Sequence, residues 1–315
     1  MKILITGGLG FIGANLVKYW LGKYKKDEVA VIDKCTYAAN QTLLKQFKVF
    51  PNFTFYKGDI SDMSFLEKIF KKEGFDLCVN LAAETSVDRS FTNPDLFYQS
   101  NVIGVINLAI CCSKYSVKHF HQVSTGEVYG DISLDSNHVF KETDPFNPKN
   151  PYALSKVHGE EFLKMFKLNN ALTYTISRVC NAYGPYQAYD KLIPLVIKRA
   201  KAEQEIPIYG TGTNTRDWIF VLDVCYAIDL IMHKGKDGEA YNVSVHEEYE
   251  NIKLVRLILK KLRRSSKLIK FVDDRKNHEI RYNFDTTKIE KELGFRYQYD
   301  FEYAIDLTID HYLDR

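Results

Sequence analysis

The chain has 315 residues, of which 45% are hydrophobic and 26% are charged. This composition is typical of a globular protein with a sizeable core, and it excludes a disordered, fibrous or small disulfide-stabilised protein. Lys and Arg number 43 against 40 Asp and Glu, a net charge of +3, which does not favour a protein that binds nucleic acid or a membrane surface.

The six cysteines are scattered and form no C-x-x-C pair. We therefore predict reduced thiols and a cytoplasmic protein. The sequence has no run of about 18 apolar residues, and the segment MKILITGG does not have the layout of a signal peptide. These observations predict no transmembrane helix.

Short apolar runs alternate with helical patterns along the first half of the chain. The predicted strands are Lys2–Thr6, Val29–Asp33, Phe53–Tyr56, Leu77–Leu81, His119–Val123 and Thr173–Val179. The predicted helices are Phe11–Leu21, Met63–Lys71, Asp95–Tyr115 and Pro151–Phe166. This alternation predicts an α/β fold with a doubly wound parallel sheet and helices on both faces.

The pattern changes near residue 181, where loops rich in Gly and Pro interleave with shorter elements. Helical periodicity returns at Asp223–His233, Ile252–Leu262 and Phe301–Leu313. We predict a first domain over residues 1–180 and a smaller one over 181–315, some segments of which return to the first domain. The basic run Lys260–Arg264 is typical of a solvated helix face rather than a nucleic-acid site.

A glycine-rich segment joins the first predicted strand to the first predicted helix. Gly7, Gly10 and Gly13 are suited to a tight turn, to the approach of a pyrophosphate and to close packing of the helix on the sheet. Asp33, twenty residues beyond Gly13, can accept hydrogen bonds from a ribose 2′-hydroxyl and repels a 2′-phosphate. We predict an NAD site, with the neighbouring Lys34 acting against the preference for NAD over NADP.

Tyr152 and Lys156 are four residues apart, so they share one face of a predicted helix. Lys156 and a positively charged nicotinamide ring can lower the pKa of the tyrosine, which then acts as a base. Tyr19 and Lys23 have the same spacing, but this pair lies on the first helix and is expected to point away from a nicotinamide.

The segment STGEVYG directly follows the fifth predicted strand, the end of the sheet at which ligands bind in open α/β folds. Thr125 can hydrogen-bond a substrate hydroxyl or Tyr152, and Glu127 is a candidate general base. The alternative for Glu127 is a structural acid that caps a local turn.

These motifs together resemble the extended short-chain dehydrogenases/reductases that act on nucleotide sugars, and within them the dTDP-glucose 4,6-dehydratases. The similarity covers nearly the whole chain through TGGLGFIG, NLAAETSVDRS, STGEVYG, PYALSK, NAYGPYQAYDKLIP, IPIYGTGTNTRDWIFV and NHEIRYNFDTTKIEKELGF. It implies a Rossmann-type sheet with a smaller C-terminal α/β substrate-binding domain, bound NAD and a nucleoside-diphosphate sugar substrate. It also implies a homodimer whose interface is formed by the helices Asp95–Tyr115 and Pro151–Phe166. It implies no metal site.

The resemblance also implies individual site residues. Those around the cofactor are Gly7, Gly10, Phe11, Ile12, Gly13, Asp33, Lys34, Thr36, Asp59, Ile60, Leu81, Ala82, Ala83, Ser100, Tyr152 and Lys156. Those around the substrate are Thr85, Thr125, Asn181, Lys191, Leu192, Pro207, Tyr209, Arg216, Asn251, Arg275 and His278. Arg216 and Arg275 suit a diphosphate, since guanidinium groups pair with phosphate oxygens; a surface ion pair is the alternative.

The implied reaction begins as Tyr152 removes the proton of the sugar 4-hydroxyl and C4 gives hydride to NAD. Glu127 then removes the acidified C5 proton, water leaves from C6, and hydride returns to C6. The family motif STDEVYG carries an Asp that protonates the leaving hydroxyl, and this chain has Gly126 there. Either another group, or a water in the space that Gly126 leaves, protonates the leaving hydroxyl, or elimination is not the reaction of this enzyme. A Gly126→Asp variant that eliminates faster would show that the missing acid limits the wild type.

Two further departures are Ala182, where the family usually has Asn, and Ser86, where it commonly has His. They leave open an NAD-dependent C4 dehydrogenase, epimerase, decarboxylase or 5,6-dehydratase of the same superfamily. A non-enzymatic NAD-binding scaffold is disfavoured because Thr125, Glu127, Tyr152 and Lys156 are all present.

Overall fold

The computed structural model describes residues 1–274 and 278–313. Its strands are β1 (Lys2–Thr6), β2 (Glu28–Asp33), β3 (Phe53–Lys57), β4 (Leu77–Asn80), β5 (His119–Thr125), β6 (Tyr174–Val179), β7 (Asn181–Tyr183), β8 (Ile206–Tyr209), β9 (Thr215–Phe220), β10 (Ala240–Val243), β11 (Glu248–Glu250) and β12 (Ile269–Val272). Its helices are α1 (Phe11–Lys23), α2 (Thr42–Phe47), α3 (Met63–Glu73), α4 (Val87–Thr92), α5 (Pro94–Tyr98), α6 (Gly104–Lys114), α7 (Pro151–Lys167), α8 (Leu192–Lys201), α9 (Val221–Lys234), α10 (Asn251–Lys261), α11 (Thr287–Leu293) and α12 (Phe301–Leu313). Gly126–Tyr129 and Ser266–Leu268 are 3₁₀ turns.

Seven parallel strands form the central sheet, in the order β10-β6-β5-β4-β1-β2-β3. The strands near its centre are almost wholly buried, because helices cover both faces and continuous apolar runs suit that environment. The predicted α/β fold is confirmed. The strands and helices predicted before residue 181 are observed with ends that differ by at most two residues.

One predicted helix has an irregular centre. Gln99–Ile103 is a π-helical turn that joins α5 to α6 without a break, and such turns are frequent at functional sites. The turn brings Asn101 against the loop after β4. There the Asn101 side chain accepts the backbone N–H of Glu84 at 2.9 Å and donates to the backbone carbonyl of Glu84 at 3.0 Å.

By length and composition, the helical segment Pro94–Lys114 could cross a membrane. However, 56% of its most apolar stretch is buried inside the molecule, as in a core helix.

The second half of the chain contributes to both parts of the molecule. β10 extends the central sheet beside β6, and α9 packs against α1 within the largest apolar cluster. The helix α11 also packs on α9 and β10. Most of the other elements surround a separate cluster with Val196, Trp218, Leu254 and Ile305. Two small sheets, β11-β9-β7 and β12-β8, belong to this part.

Candidate active site

The loop between β1 and α1 has the backbone geometry of an anion site. Gly7 has φ +66°, a conformation that L side chains rarely adopt. A Cβ on Gly13 would lie 2.1 Å from the carbonyl oxygen of Gly7, so Gly13 packs the helix against the loop itself. Within the described residues, the N-terminus of α1 has no side-chain cap and no acidic residue in its first turn. It is therefore suited to a phosphate.

A cavity opens beside this loop, at the carboxyl ends of β1, β2 and β4. Eleven predicted cofactor residues line it: Gly7, Gly10, Asp33, Lys34, Thr36, Asp59, Ile60, Leu81, Ala82, Ala83 and Ser100. Five residues that the sequence analysis did not select also line it: Ile32, Ala38, Ala39, Gly58 and Glu84. Phe11 and Ile12 instead begin α1 and pack against the smaller part of the molecule.

Hydrogen bonds and an ion pair within the protein hold the polar side chains of this cavity in place. Asp33 is buried, and its carboxylate accepts the backbone N–H groups of Leu9 and Cys35 at 2.9 and 2.7 Å. Lys34 pairs with Asp59 at 2.6 Å, which holds the lysine beside the second carboxylate. A carboxylate at the end of β2 and an uncapped helix N-terminus fit the ribose and pyrophosphate of NAD.

The predicted catalytic residues meet at the carboxyl end of β5 and the start of α7. Thr125 ends β5 close to Tyr152. Burial and the Glu127 carboxylate raise the pKa of Tyr152, and the neighbouring Thr125 hydroxyl opposes this. Lys156 donates to the carbonyl of Val123 at 2.7 Å, and burial lowers its pKa to about 8. In the protein itself the pKa of Tyr152 is therefore raised, and the predicted lowering by Lys156 together with a nicotinamide charge is not observed.

The other tyrosine and lysine that are four residues apart, Tyr19 and Lys23, do not lie in this cluster. Tyr19 and Lys23 both bond the Asp229 carboxylate, at 2.8 and 2.5 Å, as does Tyr24 at 2.8 Å. This cluster joins α1 to α9 and has a structural role.

Glu127 lies where side chains from several parts of the chain come together. Its carboxylate accepts a hydrogen bond from Asn150 at 3.1 Å. Burial, followed by the neighbouring Glu279 carboxylate, raises its pKa to about 7, against the opposing effects of Asn150, Arg216 and Lys191. A carboxylate with a pKa near neutrality suits a general base. Sequence reasoning selected Glu127 but missed Asn150 and Glu279.

The expectation of open space beside Gly126 is wrong. A Cβ at this position would lie 2.2 Å from Cζ of Phe284, and Phe284 is almost fully buried. Its ring packs on Tyr129, Phe140 and Tyr282, at centroid distances of 6.1 to 6.4 Å. The aromatic ring of Phe284 therefore occupies the space in which a water was one alternative source of the proton.

We expect Gly126→Asp to destabilise the protein by about 1–3 kcal/mol, because overpacking forces the Phe284 ring aside, and to dehydrate no faster than wild type. Urea unfolding and initial rates measure both. Gly22→Ala is the control, since its Cβ meets no atom within 4 Å and Ala favours the helix. A stable, faster Gly126→Asp enzyme would contradict the packing argument.

Most of the predicted substrate residues belong to the second half of the chain, and Thr85 and Thr125 belong to the first. Lys191 donates to the carbonyl of Thr85 at 3.4 Å, and the rings of Tyr209 and His278 are 6.3 Å apart. Asn181 begins β7, Leu192 begins α8, Pro207 lies in β8 and Asn251 begins α10. Arg275 lies outside the described residues.

Among the residues that the structure describes, Arg216 has no surface ion pair, which was the alternative for this residue. It is buried, its guanidinium donates to the carbonyl of Glu279 at 2.8 Å, and it lies 4.6 Å from the Tyr282 ring. The Ser86 hydroxyl caps α4 by accepting the N–H of Arg89 at 3.4 Å. Ser86 thus has a local structural role in this chain.

A buried ion pair supports the end of β5. Arg178 donates to the Glu160 carboxylate at 3.0 and 2.7 Å and to the Tyr129 hydroxyl at 2.7 Å. Glu160 also accepts a short hydrogen bond from Ser124, directly before Thr125. The network therefore fixes the strand that presents Thr125 and Glu127.

Comparisons with known proteins place the chain in a family. The family model for GDP-mannose 4,6 dehydratase matches residues 4–308. A dTDP-glucose 4,6-dehydratase of Haemophilus influenzae is 38% identical, with 99% of this chain and 98% of the relative covered. A low-salt glycan biosynthesis protein of Haloferax volcanii is 37% identical, with 99% of each covered. The crystal structure of a dTDP-glucose 4,6-dehydratase from Streptomyces venezuelae, with NAD and TYD bound, has a TM-score of 0.95 and 37% identity, covering 100% of this chain and 97% of that one.

The glycine loop, the Asp33 cavity and the Thr125, Glu127 and Tyr152 cluster lie on a chain that is similar over its full length to dehydratases of known structure. The chain therefore belongs to the GDP-mannose 4,6 dehydratase family and is an NAD-dependent nucleotide-sugar dehydratase.

Proposed function

We propose that this chain converts a nucleoside-diphosphate hexose to its 4-keto-6-deoxy derivative, with Thr125, Glu127, Tyr152 and Lys156 as the catalytic residues. The observation that carries the proposal is the meeting of Tyr152, Thr125 and a Glu127 carboxyl of pKa about 7 at one end of the sheet. A base with that pKa can remove a proton from a carbon next to a ketone at neutral pH.

The residues have distinct roles in this proposal. Tyr152 takes the proton of the sugar 4-hydroxyl, and Thr125 orients both groups through its hydroxyl. NAD, when bound, supplies the acceptor for the hydride of C4 and the donor that returns it to C6. Lys156 holds the cofactor ribose and places a positive charge near Tyr152. Glu127 removes the C5 proton and later returns it.

The rest of the site is divided between the two halves of the chain. Residues 1–180 hold the cofactor, and residues 181–315 mainly hold the nucleotide sugar. Among the described residues, Arg216, Lys191 and His278 are the predicted substrate residues with nitrogen donors suited to a diphosphate. The similarity to enzymes named for dTDP-glucose makes that nucleotide sugar the first to test.

Mass spectrometry tests the proposal directly. The protein is incubated with dTDP-, UDP- and GDP-linked hexoses, and the products are examined for the loss of one water and a 4-keto group. We expect dehydration of at least one of these sugars without net consumption of cofactor. Accumulation of reduced cofactor without dehydration would instead favour a C4 dehydrogenase and overturn the 4,6-dehydratase proposal.

We also propose that the chain forms a homodimer through Pro94–Lys114 and α7. These helices are joined by a 2.8 Å hydrogen bond between Tyr98 and His158. They leave large apolar side chains exposed: Leu96 at 40%, Ile103 at 37%, Leu154 at 37% and Met165 at 52%. An apolar face of this kind favours pairing with a second copy.

Sedimentation velocity tests the dimer. We expect Ile103→Glu combined with Leu154→Glu to give monomers at concentrations at which the wild type is dimeric, since each charge costs about 2 kcal/mol or more in an interface core. Val49→Glu is the control, because Val49 is 74% exposed and lies outside this face. Dissociation by the control, or none by the double variant, would place the interface elsewhere.

The compartment and the remaining partners follow the same proposal. All six cysteines, which lie in the described part of the chain, are free, as suits a reducing cytoplasm. Two residues of the basic run on α10 and beyond are ion-paired, Lys261 with Glu302 and Asp306 at 2.7 and 2.9 Å, and Arg264 with Glu203 at 2.8 Å. We infer a cytoplasmic enzyme that binds neither nucleic acid nor membrane.

A further inference from the structure

One buried amide joins the loop after β5 to the start of α7. Asn150 is 5% exposed and directly precedes α7, which it caps by accepting the N–H of Ala153 at 2.8 Å. Its side-chain nitrogen donates to the carboxyl of Glu127 at 3.1 Å and to that of Glu279 at 2.7 Å. Because the bond with Ala153 fixes which end of the amide is the oxygen, the nitrogen is the end that faces the two carboxyl groups.

The position of Asn150 along the chain ties Glu127 to Tyr152. Pro151 and Tyr152 are the first two residues of α7, so the side chain that caps this helix also fixes the turn that carries the tyrosine. The same side chain bonds the Glu127 carboxyl. In the proposed reaction Tyr152 acts at the 4-hydroxyl and Glu127 acts at C5, the adjacent carbon of the sugar. One amide therefore sets the relative position of the two groups that remove protons.

The backbone of Glu127 is held separately from its side chain. Its N–H donates to the Thr125 hydroxyl at 3.2 Å, and its carbonyl accepts the N–H of Gly130 at 3.1 Å. These bonds fix the turn, whereas the carboxyl lies at the end of a side chain that rotates about three further bonds. The hydrogen bond from Asn150 restricts that remaining freedom.

Asn150 is itself anchored from its far side. Its second acceptor, Glu279, presents a backbone carbonyl that accepts hydrogen bonds from Arg216 at 2.8 Å and from Asn214 at 3.0 Å. A movement of the amide away from Glu127 would break both the cap on α7 and the bond to Glu279. The donor is therefore preorganised, as a group that supports a catalytic side chain must be.

We propose that Asn150 is a positioning residue for Glu127, which it holds toward C5 of the bound sugar. This assignment rests on the proposed 4,6-dehydratase activity. Glu127 takes the C5 proton, and the electron pair of that C–H bond enters the enolate of the 4-ketone; Asn150 takes no proton itself. Oxidation at C4 uses Tyr152 and not Glu127. Asn150 therefore matters for the step at C5 and much less for the step before it.

The variant Asn150→Ser separates the two steps. Serine caps a helix about as well as asparagine does, so the start of α7 is kept, but the amide N–H groups are lost. In a single turnover with the nucleotide sugar that the wild type dehydrates, we expect reduction of the bound cofactor within a few-fold of wild type. Loss of water should be slower by about 10²-fold, because a small displacement of a catalytic group has effects of this size. Reduced cofactor therefore accumulates before water is lost.

Two further variants complete the experiment. Asn150→Asp keeps the size and the cap but replaces the donor with an acceptor, and it is expected to slow water loss in the same way. Asp300→Ser is the matched control, because Asp300 accepts the N–H of Tyr303 at 3.2 Å at the start of α12; it is expected to keep both rates. Equal slowing of both steps in Asn150→Ser, or no slowing of water loss, would overturn the assignment. A wild type that itself reduces the cofactor but loses no water would overturn the proposed function instead.

The pH dependence of water loss supplies a readout that a purely structural role would not move. The described groups that face Glu127 are Glu279, Asn150, Arg216, Lys191, Tyr152 and Tyr282. Burial and the Glu279 carboxylate raise the pKa of Glu127 to about 7, and the hydrogen bond from Asn150 opposes this. Loss of that bond raises the pKa further. Since Glu127 acts in its ionised form, the acidic limb of water loss moves to higher pH in Asn150→Ser; a limb that stays at the wild-type pH contradicts the assignment.

Discussion

Replacing Tyr152 with Phe is expected to reduce kcat by about 10²–10⁴-fold, because the step that opens the reaction loses the group that takes the 4-hydroxyl proton. The ring of Tyr152 lies 6.4 Å from that of Phe97 in an edge contact, and Phe preserves this packing. The variant should therefore fold normally. Single-turnover reduction of the bound cofactor after addition of the nucleotide sugar measures the step.

The chain supplies a matched control for this variant. Tyr19→Phe removes a hydroxyl at the same spacing from a lysine, but that hydroxyl bonds Asp229 at the contact between α1 and α9. We expect Tyr19→Phe to keep the wild-type rate and to lose only about 1 kcal/mol of stability. Normal cofactor reduction by Tyr152→Phe, or a matching loss by Tyr19→Phe, would remove Tyr152 from its proposed role.

Replacing Arg178 with Met is expected to have the largest effect on stability, about 3–5 kcal/mol, because Glu160 would be left as a buried charge without its partner. The side chains of Arg178 and Glu160 are only 7% and 2% exposed. Whole domains are stable by about 5–15 kcal/mol, so this loss is a large fraction of the total. The midpoint and slope of urea unfolding measure it.

An exposed pair of similar length is the control. Arg264 lies 2.8 Å from Glu203, with side chains 39% and 68% exposed, and Arg264→Met should cost no more than about 1 kcal/mol. Adding Glu160→Gln to Arg178→Met should recover part of the loss, since it removes the unpaired charge. Equal costs for the two single variants would show that burial is not what makes the Arg178 pair important.

The cofactor half of the molecule was predictable because its signals are local. Buried parallel strands are continuous apolar runs, and Gly7, Gly13 and Asp33 have fixed spacings along the chain. The strands from Asn181 onward have three to six residues each, too few for a clear period, and none of them was predicted. The π-helical turn at Gln99–Ile103 was also missed, since one wider turn leaves an apolar pattern nearly unchanged.

The acid–base arrangement was only partly predictable. The grouping of Thr125, Glu127 and Tyr152 was predictable from their places along the chain. Thr125 and Glu127 lie at the end of the fifth strand, and Tyr152 lies at the start of the helix that follows. Phe284 and Glu279 reach the site through tertiary packing from more than 120 positions away along the chain, and no local pattern reports that distance. The sequence did contain a signal for Glu279. This residue directly follows His278 in the segment NHEIRYNFDTTKIEKELGF, from which only the histidine was selected as a site residue.

The position of β10 has a consequence for how the protein is made. Its residues 240–243 complete one edge of the central sheet beside β6, and α9, which precedes it, covers α1. A nascent chain that has released only its first 180 residues therefore exposes an unpaired strand edge and a bare apolar helix face, both of which promote aggregation. The cofactor half can reach its final fold only after Val243 has left the ribosome.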